Sequence, residues 1–286
     1  MKIVLKIISY IFAFILMLTL LVVILSQIVT NTILDENYLL AKLKETNYYS
    51  KARDNALVKV EDYIEQSGLE GLKMSEIFTL EQVKEDANSF FSGIYHSEKL
   101  TLNKDKLKQT LENKVEELEQ NGTMTLTVTE KRSADQVLDI AVNSYFSEVS
   151  YGSFISYIEN APKLVSTINS MIFKVQKAVS IAVCVLIIVI LLINIKQFKL
   201  GLRYIGTSVF ASSVFMIGIN IFVKIKMNIP NFYILNNATS DLVVNVALDV
   251  LRKISLVGIV GMIVGAIFII IGATYKKEKS KQEIDY

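Results

Sequence analysis

A single cysteine, Cys184, means that no disulfide can form within this chain. The stretch 31–170 has no cysteine at all, so a domain folded there must be held by its own apolar core, which 140 residues can supply. A single histidine, His96, leaves only carboxylates to complete a metal site of three or four ligands there. There is no Gly-x-Ser-x-Gly, no His-Glu-x-x-His and no glycine-rich phosphate loop. These absences argue against an enzyme, and no cofactor or metal is expected.

Another absence is of charge. Residues 7–28, 178–195, 205–223 and 254–273 contain no Asp, Glu, Lys or Arg over 18 to 22 positions each. About 20 such residues cross a hydrocarbon core of roughly 30 Å. The apolar share of 52% and the mean hydropathy of +0.42 are concentrated in these runs. The expected fold is an all-α membrane protein: four transmembrane helices plus a mainly helical extracytoplasmic domain. Ion-coupled pumps ordinarily carry an ionisable group in the membrane, and none falls within the four runs. The first run is long for a signal peptide, and Ser26, Gln27, Ile28 and Val29 form no small-residue cleavage site, so an uncleaved anchor is expected.

What charge there is divides unevenly. Residues 31–170 hold 15 Lys and Arg against 23 Asp and Glu, a net of −8, and the rest of the chain holds 15 against 5, a net of +10. Basic loops stay in the cytoplasm. Lys2 and Lys6, then Lys196, Lys199 and Arg203, then Lys276, Lys277, Lys279 and Lys281 share one side if both termini are cytoplasmic. Lys224, Lys226, Arg252 and Lys253 run against this scheme. The expected order is an N-terminal span (1–30), an extracytoplasmic helical domain (31–170), three further spans (171–275) with an outer loop at 224–253, and a basic cytoplasmic tail (276–286). The basic flanks suit lipid headgroups, and no nucleic-acid partner is expected.

Within 31–170 the periodicity predicts four to six helices. Residues 35–44 read as an outward continuation of the first span. Asn47 can cap a helix whose Tyr49, Ala52, Ala56, Val60 and Tyr63 share one face, and Ser67 and Gly68 stop it. Thr79 and Gln82 form a capping box before Val83, Ala87, Phe90, Phe91 and Ile94. Asn103 caps a helix with Leu107, Leu111, Val115 and Leu118 on one side, closed by a left-handed Asn121–Gly122. Residues 123–129 alternate Met, Leu and Val with Thr, which reads as an extended arm. A second capping box, Ser133 to Gln136, opens a helix carrying Val137, Leu138, Ala141 and Tyr145. Asn160, Ala161 and Pro162 start a helix that runs unbroken into the second span. Residues 240–254 read as an amphipathic helix, with Leu242, Val243, Val246, Val250 and Ile254 on one face, lying on the membrane surface or docking beneath the outer domain.

Few residues are candidates for chemistry. His96 falls at a predicted helix end and reads as a solvated or capping residue. Glu112, Glu116 and Glu119 recur along one helix among lysines and read as a solvated face. Asn121 and Asn237 begin glycan acceptor triplets, which matter only in a secretory eukaryotic cell. Cys184 reads as a small packing residue. The candidate helix-packing face is Gly258, Gly261, Gly265 and Gly272, spaced three, four and seven apart along the fourth span, with Asn220 of the third span reaching across an interface. The glycine stripe serves packing within the four spans or self-association. Gly206, Ala211, Ser212, Ser213 and Gly218 offer small residues on the third span.

Tyr38-Leu-Leu-Ala-Lys-Leu, Asn47-Tyr-Tyr, Phe78-Thr-Leu-Glu-Gln-Val and Phe91-Ser-Gly-Ile-Tyr together resemble a group of uncharacterised bacterial four-span membrane proteins. The link Lys199-Leu-Gly-Leu-Arg-Tyr-Ile-Gly is similar to the one before their third span. The resemblance implies one N-terminal span, a helical extracytoplasmic domain and three more spans, and brings no activity with it. The Lys- and Ile-rich usage suits an AT-rich bacterial genome. The span order is also that of FtsX/MacB-type permeases, although the link 196–203 has no acid where those proteins usually carry acidic and basic residues for an ATPase. The leading expectation is a non-enzymatic envelope protein whose outer domain binds a protein, lipid or wall component. The alternative is a membrane subunit of a transport system, an FtsX/MacB-like permease or a small oligomeric channel. A membrane-surface enzyme comes last. The expected partners are the lipid bilayer and either a second copy of the chain or another membrane protein.

Overall fold

A computed structural model describes residues 2–67, 69, 71–96, 103–150, 161–229 and 237–282, the last nine of these as backbone only. They form α1 (Lys2–Thr30), α2 (Glu36–Glu45), α3 (Tyr48–Gln66), α4 (Met74–Ile77), α5 (Leu80–His96), α6 (Lys104–Gln120), α7 (Val128–Val149), α8 (Ala161–Ile193), α9 (Phe198–Met227) and α10 (Asn237–Gln282). No strand occurs among the described residues. Four stretches are long and apolar enough to cross a membrane: Ile3–Thr30, Pro162–Ile193, Ile195–Met227 and Asn237–Ala273. The chain is thus an all-α, multi-pass membrane protein. It divides into two units, a membrane unit (Met1–Ile33, Asn169–Phe232, Val246–Tyr286) and a helical domain (Leu34–Ile168, Tyr233–Asn245).

The helical domain is built around aromatic rings. Tyr48, Phe78, Phe91, Tyr145 and Phe146 are fully buried. Tyr48 meets Phe91 edge-on at 5.6 Å between centroids, and Phe78 meets Tyr145 at 4.5 Å. Such pairs add to the area term that burial alone supplies. The most extensive packing is of α3 on α7. Ala52, Ala56 and Val60 have no exposed surface, and these short side chains let α7 approach closely. The buried face of α3 is completed by Tyr48 and Ile64, not by the predicted Tyr49 and Tyr63; Tyr63 is exposed.

Helix ends follow local chemistry, in places differently from the periodicity. Residues 35–44 do not extend α1, which ends at Thr30. The Asp35 side chain accepts from the Asn37 amide at 3.0 Å and starts a separate helix. Asn47 precedes α3 in a left-handed conformation, φ 54°, and makes no side-chain cap. Thr79 accepts from the Gln82 amide at 3.2 Å, but the Gln82 side chain turns to Asp86 at 2.9 Å, so half the predicted box forms. The capping box of α7 is Thr127 with Glu130, not Ser133 with Gln136. The segment read as an extended arm pairs with no strand among the described residues and is absorbed from Val128 onward into that helix. At Gly122, φ +71° closes α6: the Thr123 amide donates to the Leu118 carbonyl at 3.0 Å and the Gly122 amide to that of Glu119 at 3.1 Å. This is the paired-bond left-handed helix ending. Gly68 and Asn160 lie outside the described residues.

In the membrane unit α1, α8 and α9 share a core of Ala13, Leu16, Ile190, Tyr204 and Ile205. Ser208 donates to the Ala13 carbonyl at 2.6 Å, and the Asn194 amide to the Ser9 hydroxyl at 3.0 Å. Lipid offers no water to these polar groups, so they find one another. The helix α8 runs unbroken for 33 residues, with Pro162 in its first turn, where a missing N–H costs no bond. The predicted amphipathic segment 240–254 is no separate element but part of the 46-residue α10.

Candidate functional site

The glycine stripe has a partner within the chain. A Cβ built on Gly265 would lie 2.6 Å from the Phe210 amide nitrogen and 2.9 Å from the Gly206 carbonyl oxygen. One on Gly258 would meet Ile217 at 3.0 Å, and one on Gly272 would meet Arg203 at 2.5 Å and the Lys199 carbonyl at 2.7 Å. One on Gly261 would collide with the Ser213 hydroxyl. All four glycines therefore face α9. Gly206 answers from α9: its Cβ would be 2.7 Å from Phe268. Gly218, by contrast, has open space beside it. The Asn220 amide donates to the Leu251 carbonyl at 2.7 Å and to the Ser255 hydroxyl, tying the same two helices together. This face brings α9 and α10 into backbone proximity. Cys184 is exposed on α8.

In the helical domain, His96 ends α5 and its Nε2 lies 2.9 Å from Glu36. Ser92 donates to the other Glu36 oxygen. Burial first, then the charges of Asp35 and Glu36, push the neighbouring Tyr95 hydroxyl up to about 12. His96 thus contacts Glu36 at the surface, across 60 residues of sequence. Glu112 and Glu119 of α6 are each held by a lysine, Lys108 at 3.9 Å and Lys131 at 2.9 Å. With Glu116 they line a shallow groove of about 210 Å³ against α7. No group of three metal-ligating side chains occurs among the described residues.

Two polar arrangements were not legible in the sequence. The first lies on α3, where Tyr48, Lys51, Asn55 and Lys59 form one stripe three or four residues apart. The Glu148 side chain near the end of α7 is 2% exposed, and its carboxylate is paired with Lys59 and accepts from Asn55 at 3.3 Å. Tyr48 donates to the Glu148 and Val149 carbonyls at 3.2 Å, supplying partners that helix C-terminal carbonyls otherwise lack. Asn55 also donates to Asn237 at 2.9 Å, and Lys51 is paired with Asp241, so the first turns of α10 are read by the same stripe. A buried carboxylate demands such partners.

The second is a cleft of about 480 Å³ whose walls include Gln82, Glu85, Asp86, Ser89, Asn103 and Asp105. Among the described residues Lys106 is the one basic residue of its lining. Tyr145, buried behind the cleft wall, donates to Asp86 at 2.7 Å, and burial together with this bond raises the Tyr145 hydroxyl far above its ordinary value. The hydroxyl is thus a fixed donor that orients the Asp86 carboxylate. Three carboxylates against one ammonium give the cleft a negative field suited to a cationic or donor-rich group.

Comparison with known proteins yields no relative: no family model, no curated protein and no solved structure matches the chain.

Proposed function

We propose that this is a non-enzymatic integral protein of the cell membrane, with both termini in the cytoplasm and the helical domain on the outer side, where it binds a component of the envelope. The observation that carries the reading is the acidic cleft of about 480 Å³ in a domain with a complete aromatic core. Polar walls with three carboxylates favour an amine-bearing ligand, such as a basic protein segment or an amino-substituted wall component, over an acyl chain. The basic loops and tail support the orientation. The resemblance to four-span bacterial membrane proteins agrees with it.

The test is photocrosslinking in intact cells from a probe at Thr110, which also lines the cleft. The reading expects an adduct that weakens in a Glu85→Gln, Asp105→Asn double variant. Recovery of the bare chain alone, or an adduct indifferent to both substitutions, would count against it.

A further inference from the structure

We propose that Asp86 is the specificity-determining residue of the acidic cleft, and that it recognises the ammonium of a lysine side chain, presented by a basic protein segment, in preference to an arginine. The inference rests on the reading of this cleft as the binding site, and adds to it the residue that selects and the chemistry selected. Asp86 lines the cleft from α5. Its Oδ2 accepts twice, from the Tyr145 hydroxyl of α7 at 2.7 Å and from the Gln82 side-chain amide, one turn earlier on α5, at 2.9 Å. Its Oδ1 accepts from no donor among the described residues.

The burial of Tyr145 alone does not call for this arrangement. The residue has no exposed surface, so its hydroxyl needs an acceptor. A neutral amide or carbonyl oxygen would serve. A carboxylate adds a full charge, draws a second donor from Gln82 and leaves one oxygen over for the cleft. The two donors hold the carboxylate before any ligand arrives, so little ordering remains to be done on binding.

A half-used carboxylate discriminates between cations. A carboxylate offers about four lone-pair sites, and the pair on Oδ2 is taken. A guanidinium binds a carboxylate best as a fork, two parallel N–H donors on two oxygens. Here the second prong meets an oxygen that is already satisfied. An ammonium is a compact point charge and needs one oxygen. Its other N–H groups have Ser89 and Asn103 in the same lining, and the Asn103 side chain makes no cap to α6 that would occupy it.

The rest of the lining suits the stem of a lysine and not a zwitterion. Ile77, Leu107 and Phe146 supply apolar wall for the methylenes of the stem. Glu85 and Asp105, with Asp86, outweigh the one charge of Lys106. An amine with a carboxylate beside it, as in an amino acid, would set that carboxylate against Glu85 and Asp105. A lysine side chain brings no such group.

The test is fluorescence anisotropy with the full chain in detergent and labelled hexapeptides in which glycine alternates with lysine, glycine with arginine, or glutamate with lysine. The glycine–lysine peptide should bind about tenfold more tightly than its arginine counterpart, the effect of one charge-assisted hydrogen bond. Asp86→Asn should remove that preference. Tyr145→Phe should narrow it by freeing Oδ2 for the second prong of an arginine, and Gln82→Met frees the same oxygen by a change outside the core if the buried variant folds poorly. Glu85→Gln should weaken both glycine peptides alike. Equal affinities in the unmodified chain, a preference that survives Asp86→Asn or is unchanged in both Tyr145→Phe and Gln82→Met, tighter binding of the glutamate–lysine peptide, or binding of no peptide would overturn the proposal. Equal affinities that both fall in Glu85→Gln would overturn the selectivity and leave the cleft a cation site, whereas affinities that no cleft variant alters would remove the underlying reading as well.

Discussion

The helical domain and the membrane unit solve the same packing problem with opposite residues. In the domain the core is aromatic, with Tyr48, Phe78, Phe91, Tyr145 and Phe146 enclosed. In the membrane unit a close helix contact is made by the smallest side chains, Gly206 against Gly265, with Ser208, Asn194 and Asn220 bonding across helices. The solvent explains the difference. Water drives large apolar side chains together in proportion to the area they hide. Lipid gives no such drive, so helices associate through close fit and through polar groups that have nowhere else to turn. Size is thus stabilising in one unit and disruptive in the other.

The sharpest way to break that comparison is to exchange the roles of size. Phe91→Ala empties a fully enclosed site and should cost about 3–5 kcal/mol. Phe215→Ala, on a span residue 59% exposed, should stay within about 0.5 kcal/mol. Thermal unfolding of the purified chain in detergent measures both, and equal losses would remove the distinction. The reverse exchange is smaller. Gly265→Leu places a side chain where the Phe210 backbone stands and should cost about 1–3 kcal/mol, while Gly218→Leu enters open space and should be tolerated. If both glycines accept leucine, the α9–α10 contact is looser than described.

The smallest effect sharpens the domain side alone. The Thr127 hydroxyl first, then its backbone amide, hold the Glu130 carboxyl below its ordinary value of 4.5. A group whose folded value is depressed adds stability that is present above the ordinary value and lost as pH falls through the folded one. Acidification from about pH 5 downward should therefore weaken the start of α7, in that window only. Thr127→Val should lose part of this acid sensitivity, read as the difference between the two chains' circular-dichroism melts across the window. Identical slopes would mean that the box contributes nothing.

How much of this was legible in the sequence follows from the range of the interactions concerned. The four apolar helices were, because a charge-free run of 18 or more residues is a local property with few other readings. The left-handed Gly122 ending was legible for the same reason. The start of α7 was misplaced because two Ser/Thr-to-Glu/Gln spacings lie six residues apart and the alternation in 123–129 resembles a strand; the box that forms is the earlier one, Thr127 with Glu130. The separation of α2 from α1 rests on one Asp35 cap that a helical pattern does not reveal. The glycine stripe was visible, but its partner was not, since spacing describes a face and not what meets it. The pairing of Glu148 with Lys59 joins residues 89 apart, and the acidic cleft draws on α5, α6 and α7. No local pattern predicts such meetings.

The most direct measurement concerns the sidedness on which the proposed function rests. In a Cys184→Ser background, a membrane-impermeant thiol reagent is applied to intact cells carrying Thr123→Cys or Lys279→Cys. The proposed topology predicts labelling at 123 in intact cells and at 279 only after the membrane is opened. Labelling at 279 and protection at 123, or release of the whole chain from membranes by alkaline wash, would contradict it.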